Sequence, residues 1–320
     1  MKILADGEFH SGESLGEAQG VSRAAVWKQL KKLQPLGLEC HSVRGRGYRI
    51  PGGINLLDRG AFESRFTPVV ASSLSSVELA LSMASTNTVA AAEAQQGPCH
   101  GRLYVAEQQT AGRGRRGRAW ASPFARNLYF SLTWSFSGGA AALEGLSLVV
   151  GLALRNGLAD LGVKGVQLKW PNDLHCQGRK LAGVLLEMSG DAAGPCQVVI
   201  GAGVNVAMPE AAAVAVDQPW IDLQQIVGAP LDRNVVLAVL LNALVPALQL
   251  FERQGFAPFR EAWQQHNAYQ GLQVRLATER FSEQGVCIGV DAKGALLLAT
   301  ASGTKAFHGG ELSLRLLDDA

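Results

Sequence analysis

Residues 112–118 read Gly-Arg-Gly-Arg-Arg-Gly-Arg. Four guanidinium groups in seven residues cannot enter an apolar core, because each would need a partner to offset its desolvation. The interleaved glycines favour neither helix nor strand interior. The chain must therefore carry this stretch as a loop. Leu103-Tyr104-Val105-Ala106 before it and Asn127 to Trp134 after it are rich in aromatic and β-branched residues and read as strands. A Gly/Arg loop slung between two strands of a core sheet is a site position. Arginine presents a rigid fork that matches carboxylate and phosphate, and glycine lets the backbone approach a ligand. The loop asks for an anion. By itself such a run suits a nucleic-acid patch as well as a small-molecule lid.

Bulk charge bears on that choice. The net charge is +2, with 48% hydrophobic and 18% charged residues, which describes an ordered protein and not one wrapped in nucleic acid. At 320 residues there is room for two or three domains. Cys40, Cys99, Cys176, Cys196 and Cys287 are scattered without CxxC spacing, as expected of free thiols in a reducing cytosol. Met1 to Asp6 has no signal-peptide apolar stretch. The most apolar segment, Val235 to Phe251, is broken by Asn242, Pro246 and Gln249, so it reads as a buried helix and not a membrane span. A cytoplasmic protein with no membrane partner is expected.

Positive charge gathers locally at the N-terminus. Residues 1–50 hold eight basic and five acidic residues, a net +3 that exceeds the whole chain's. Ser14 to Ala18 is a short helix candidate and Gly20-Val21 a turn. Ser22 is placed to cap a second helix, Arg23 to Leu33, with Val26, Leu30 and Leu33 on its buried stripe. Arg23, Ala24, Trp27, Lys28 and Lys31 lie off that stripe. Leu38 to Ile50 reads as a hairpin whose turn carries Arg44 and Arg46. Helix, turn, helix and basic wing arrive in order, which predicts a winged helix-turn-helix over 1–52 that meets DNA through those residues and Ser22. A packing module with a solvated basic face is the plainer alternative.

Pro51-Gly52-Gly53 is the expected linker. Over 60–270, a helix capped at Ser85 or Thr86 and another from Leu143 to Leu161 flank strands at 166–170, 181–187 and 197–200, with a Gln177-Gly178 turn. Hairpin-joined strands with helices at the ends of the segment predict an α+β multidomain fold with a mixed or largely antiparallel sheet. From Gly271 to the end of the chain, at 271–320, short strands between Gly, Asp/Lys and Ser/Gly turns suggest a small SH3-like β-barrel.

Three further motifs carry chemistry. Lys169-Trp170-Pro171-Asn172-Asp173 ends a strand in a compact cation and adds amide and carboxylate oxygens suited to a magnesium nucleotide. Gly201-Ala202-Gly203-Val204-Asn205 follows an apolar strand, where small residues would let a flat ligand pack on backbone. Ser85-Thr86-Asn87 offers hydroxyls and backbone N–H groups at a helix start. Each has a bland counterpart: an ordinary turn, tight strand packing, simple capping.

Together with Gln109-Thr110-Ala111 leading into the arginine loop, and with Arg179-Lys180-Leu181-Ala182-Gly183, these motifs stand in the order that resembles biotin protein ligases. With the helix-turn-helix in front, the chain resembles the bifunctional bacterial members that are both biotin operon repressor and biotin–[acetyl-CoA-carboxylase] ligase. The likeness runs from about residue 3 to 316. It implies a class II aminoacyl-tRNA synthetase-like catalytic domain. It also implies two chemical steps: biotin and MgATP give biotinyl-5′-AMP, and a lysine of the apo biotin carboxyl carrier protein then takes the biotin.

The same resemblance assigns biotin binding to Ser85, Thr86, Asn87, Gln109, Arg113, Gly114, Arg115, Lys169, Gly201 and Gly203, with Arg115 and Lys169 catalytic. Nucleotide binding falls to Gly112, Arg116, Arg118, Trp120, Asn172, Asp173, Asn205, Glu311 and Arg315. The cofactors implied are ATP and Mg2+, with no resident protein metal site. Operator DNA and a homodimer of adenylate-bound chains complete the partners. Ala84 stands where many family members carry an acidic residue. A ligand-sensing repressor without ligase activity and a lipoate-protein ligase remain as alternatives.

Overall fold

The structure is a computed structural model that describes residues 1–190, 194–214, 216–278, 281–309 and 312–317. Two serine caps start the N-terminal unit. Ser11 accepts from the Ser14 N–H to open α1 (Gly12–Glu17), and Ser22 accepts from the Ala25 N–H to open α2 (Arg23–Lys31). The turn between them is tight: a Cβ on Gly16 would lie 2.6 Å from the Val21 carbonyl oxygen. Val26 and Leu33 are buried as the periodicity predicts, with Leu4, Leu15, Leu38 and Ile50 completing a small core. Leu30 is only half-buried. The hairpin is β1 (His41–Val43) and β2 (Gly47–Arg49), with Val43 opposite Gly47.

Seven strands form the central mixed sheet: β3 (Ser76–Ala80), β4 (Arg102–Ala106), β5 (Leu128–Phe136), β6 (Val166–Lys169), β7 (Asp173–Cys176), β8 (Arg179–Gly190) and β9 (Cys196–Val204). Their order is β3-β4-β5-β9-β8-β7-β6. Only the β3–β4 pair is parallel. Alternation decides which layer each residue joins. Leu103, Val105, Val198 and Ile200 face the main core with helices Leu146–Asp160 and Arg233–Gln254. Tyr104 and Val199 face the other way, against Ala90 of helix Thr86–Ala94. Segments Ala140–Asp160 and Arg233–Gln254 are long and apolar enough to cross a membrane by length and composition. Here they lie against the sheet with Leu146, Leu154, Leu240 and Leu244 fully buried in its core.

The C-terminal strands β10 (Gln273–Ala277), β11 (Ser282–Val290), β12 (Leu296–Thr300), β13 (Gly303–Phe307) and β14 (Ser313–Leu316) form an antiparallel sheet ordered β13-β12-β11-β10-β14. No ladder among the described residues joins β13 to β14. Val274, Leu276, Leu298 and Leu314 of this sheet merge into the central core.

Two sequence expectations change. Gln177-Gly178 does turn a hairpin, but its first strand is β7, so Asp173 sits on a strand and only Pro171-Asn172 turns. The helix expected from Leu143 starts at Leu146, after a short 3-10 turn over Ala140–Leu143.

Pro51-Gly52-Gly53 follows the N-terminal hairpin. The chain just beyond it is fastened to the central unit by a buried ion pair. Arg233 and Glu107, each 2% exposed at the side chain, meet at 2.6 Å. Arg233 also donates to the Asn55 and Asn127 carbonyls, and Glu107 Oε1 accepts from the Leu57 N–H at 2.6 Å. In return Phe124 and Ala125, just past the arginine loop, insert into the N-terminal core.

Candidate active site

The β7–β8–β9 face and the arginine loop enclose a cavity of about 650 Å³. Its polar wall starts at the helix cap. Ser85 accepts from the Thr88 N–H, which places Thr86 and Asn87 in the first turn, 3% and 4% exposed. The Thr86 N–H and hydroxyl both reach Gln109 Oε1, at 2.9 and 3.2 Å. The Ser131 hydroxyl lies 2.8 Å from Thr86 Oγ1 and 2.6 Å from Asn87 Oδ1. Asn87 Nδ2 donates to Glu187 at 2.8 Å, and Glu187 pairs with Arg113 at 3.0 Å. One network thus unites the Ser-Thr-Asn motif, Gln109 and Arg113. The Ala84 carbonyl accepts from the Ala111 N–H at 2.7 Å and ties the motif to the loop.

The loop is a folded turn, not an extended strap. Gly114 N–H bonds the Arg118 carbonyl at 2.7 Å, and Arg116 is held left-handed at φ 60, ψ 30, a strained choice for a residue with a Cβ. Arg115 turns inward and donates to Asn172 Oδ1 at 2.8 Å. Burial lowers its hold on its proton, Asp173 pulls the other way, and Arg116 and Arg118 add to the lowering. Asn172 in turn donates to the Val184 carbonyl at 2.6 Å. Arg116 and Arg118 line the cavity with exposed side chains.

The glycines act differently from the sequence expectation. Gly201 and Gly203 do line the cavity, but the space they leave is filled by the protein itself. A Cβ on Gly201 would overlap the Asn87 amide, and one on Gly203 would run into the Trp120 indole. Gly183 lies under the same ring, its Cβ position 3.2 Å away. Trp120 is therefore a plate seated on a glycine floor.

Lys180 is a cation that the sequence reading did not assign to the site. It pairs with Asp173 at 2.8 Å, with only 14% and 16% of the two side chains exposed, and its Nζ lies 5.4 Å from the Trp120 ring centre. Lys169 ends β6 with its Nζ 5.5 Å from the Tyr269 ring centre. Asn205 lines the cavity and braces it, donating to the Lys180 and Ile221 carbonyls. Arg315 reaches the cavity from β14.

Of the candidate ligand residues, the cavity gathers all but two. Gly112 sits behind the wall, its carbonyl accepting the Trp120 N–H at 2.9 Å. Glu311 lies outside the described residues. Ser131, Glu187 and Lys180 went unassigned. The available signal was a serine in the middle of the aromatic, mostly buried strand Leu128–Phe136, since buried polar groups need partners.

None of the DNA candidates lines this cavity. Arg23, Ala24, Trp27, Lys28 and Lys31 form an exposed face of α2, with Ser22 at its cap. Trp27 is 48% exposed, and Lys31 Nζ lies 3.7 Å from its ring centre. Arg44 and Arg46 are exposed on the wing, Arg46 resting 4.2 Å over Phe9.

A Biotin/lipoate A/B protein ligase family model matches residues 79–205, an HTH domain model residues 1–49 and a biotin protein ligase C-terminal domain model residues 271–315. The bifunctional ligase/repressor BirA of Salmonella typhimurium is 42% identical over 98% of this chain and 96% of its own length. That of Bacillus subtilis is 30% identical over 97% and 95%. The biotin protein ligase of Aquifex aeolicus, solved with biotin and ATP, superposes with a TM-score of 0.65 at 30% identity, covering 76% of this chain and all of that one.

Proposed function

This chain belongs to the bifunctional ligase/repressor branch of the biotin protein ligases, and we propose that its cavity makes biotinyl-5′-AMP and that its winged helix reads operator DNA. It is a biotin ligase joined to a helix-turn-helix repressor unit. The carrying observation is the cavity itself, where a buried amide-and-hydroxyl wall stands beside Arg115, Lys169 and Lys180.

In the first step the biotin carboxylate attacks the α-phosphorus of MgATP and pyrophosphate leaves. Two anions must meet, so the step needs cations preset along their path. Arg115, Lys169 and Lys180 supply them. Asp173 and Glu187 hold Lys180 and Arg113 in place beforehand, and arriving anions compete for these cations. Ser85, Thr86, Asn87, Gln109 and Arg113 pair with the polar ring of biotin, whose N–H and C=O would otherwise be buried unpaired. Trp120 and the Gly201–Gly203 strand give its apolar body a wall.

The metal arrives with the nucleotide. Asp173, on the cavity wall, offers one carboxylate to it. Gly114, Arg116 and Arg118 fold over the product and keep water from the anhydride, with Gly112 holding Trp120 from behind. In the second step a lysine of the biotin carboxyl carrier protein attacks the acyl carbon and AMP leaves.

Domains span 1–52, 60–270 and 271–320, the last an SH3-like barrel supplying Arg315 and Glu311 to the nucleotide. The adenylate is the corepressor, adenylate-bound chains pair as homodimers on the operator, and the protein works in the cytoplasm. The purified chain, given biotin, MgATP and apo carrier domain, is expected to add one biotin to the carrier lysine by mass spectrometry. An unmodified carrier under conditions where the chain is folded would overturn the ligase reading.

A further inference from the structure

His175 is a cavity residue to which neither motif nor resemblance assigns a task. Strand register places it opposite Gln167 on β6 and Lys180 on β8, with Asp173 two residues before it on the same face. Lys169, opposite Asp173, shares that face too. Lys169, Asp173, His175 and Lys180 all line the cavity. The imidazole is only 5% exposed, and among the described residues neither Nδ1 nor Nε2 has a hydrogen-bond partner of ordinary geometry. A ring there only to pack would be cheaper without nitrogens, because a buried polar atom without a partner forfeits its hydration. Trp120 Nε1, on the same cavity, is also buried and has no hydrogen-bond partner among the described residues.

The surroundings define what such a ring could meet. Lys169 approaches from β6, Lys180 from β8, and Arg315 lines the same cavity from β14. Asp173, paired with Lys180, is the carboxylate beside His175, Gln167 opposite it is uncharged, and Asp217 stands elsewhere on the wall. Burial, then Lys169, then Lys180 push the imidazole down to about 4, with Asp173 and the Gly178 backbone opposing them. At neutral pH it is an uncharged ring with one donor and one acceptor, flanked by cations. The complementary ligand atom is an anionic oxygen.

Resting on the adenylation reading above, we propose that His175 binds the polyphosphate of the nucleotide, donating an imidazole N–H to a phosphate oxygen held between Lys169 and Lys180. His175 then helps hold the pyrophosphate group while the biotin carboxylate attacks.

The test uses the full chain labelled with 15N-histidine, the His175 signals being those missing from His175→Gln. Addition of magnesium pyrophosphate is expected to move these signals, whereas adenosine leaves them in place. Movement with adenosine but not with pyrophosphate would place the ring at the nucleoside and overturn the proposal. Silence toward both would make it a packing residue. In kinetics, His175→Phe is expected to raise the KM for MgATP roughly tenfold and leave the biotin KM within about twofold. Retention of one donor in His175→Gln should recover most of the loss. Biotin-dependent ATP–pyrophosphate exchange by the unaltered chain separates the two claims. Exchange without a His175 response refutes only the role of His175, and no exchange refutes the adenylation reading with it.

Discussion

Glu107→Ala is expected to cost about 4 kcal/mol of stability, which is large against a typical total of about 5–15 kcal/mol. The figure follows from two losses. Arg233 would keep its carbonyl partners at Asn55 and Asn127 but lose its only salt-bridge carboxylate among the described residues, while remaining 2% exposed. Breaking one side of a buried pair costs roughly 3–5 kcal/mol. The Leu57 N–H would also lose its acceptor, worth about 1 kcal/mol or more, and relaxation of the site offsets part of the sum. Replacing both partners, as Glu107→Leu with Arg233→Met, removes the stranded charge and should cost far less than Glu107→Ala alone. Urea unfolding followed by circular dichroism measures both variants. Because the pair fastens the chain at 55–57 to the central sheet, Glu107→Ala should also weaken operator binding more than carrier biotinylation. A loss below about 1 kcal/mol, or a double variant as unstable as the single one, would refute the claim that the pair is the fastening.

Other expectations follow from the site and the reading head. Arg115→Ala should fail to retain biotinyl-AMP, lowering adenylate half-life about tenfold or more as read by gel filtration of labelled adenylate; unchanged retention would remove Arg115 from its role. Gly203→Ala should displace Trp120, weakening biotin binding in calorimetry while costing about 1–3 kcal/mol by overpacking. His175 has a folded pKa of about 4, below its ordinary 6.5, so the unfolded chain binds more protons between those values. Stability is thus full above pH 6.5 and falls as the pH drops toward 4, by about 3 kcal/mol in all; urea midpoints at pH 7 and 4.5 should converge in His175→Gln. Lys28→Ala with Lys31→Ala should flatten the salt dependence of operator binding by about two phosphate contacts without changing adenylate synthesis.

Local chemistry was readable from the chain and distant pairing was not. The Ser22 and Ser85 caps lie where the sequence puts them, since a cap is settled within three residues. Gln177 and Gly178 both take positive φ, 53 and 73, as a two-residue hairpin turn demands. The mixed sheet follows from hairpin spacing. The strand at Asp173–Cys176 was missed because four residues after a proline carry too little alternation to announce themselves.

The site was legible as a set of motifs but not as a network. Ser131, Glu187 and Lys180 earn their places only through partners across strands, which no local pattern reveals. The glycines at 201 and 203 signalled close approach, but not that Asn87 and Trp120 do the approaching. Likewise Pro51-Gly52-Gly53 marks a break in regular structure, while the bond that fastens the chain beyond it joins residues 126 apart. The arginine loop suited either nucleic acid or a small anion. The buried wall beside Arg115, together with a separate basic face on α2, supports the small anion.

Biotin-dependent exchange of labelled pyrophosphate into ATP tests the central claim most directly, because it needs the cavity alone, with neither carrier protein nor DNA. The purified chain should incorporate label only when biotin and magnesium are present, and should lose that incorporation in Arg115→Ala and Lys180→Ala. Label entering ATP without biotin, or no exchange from folded protein with every substrate present, would contradict it.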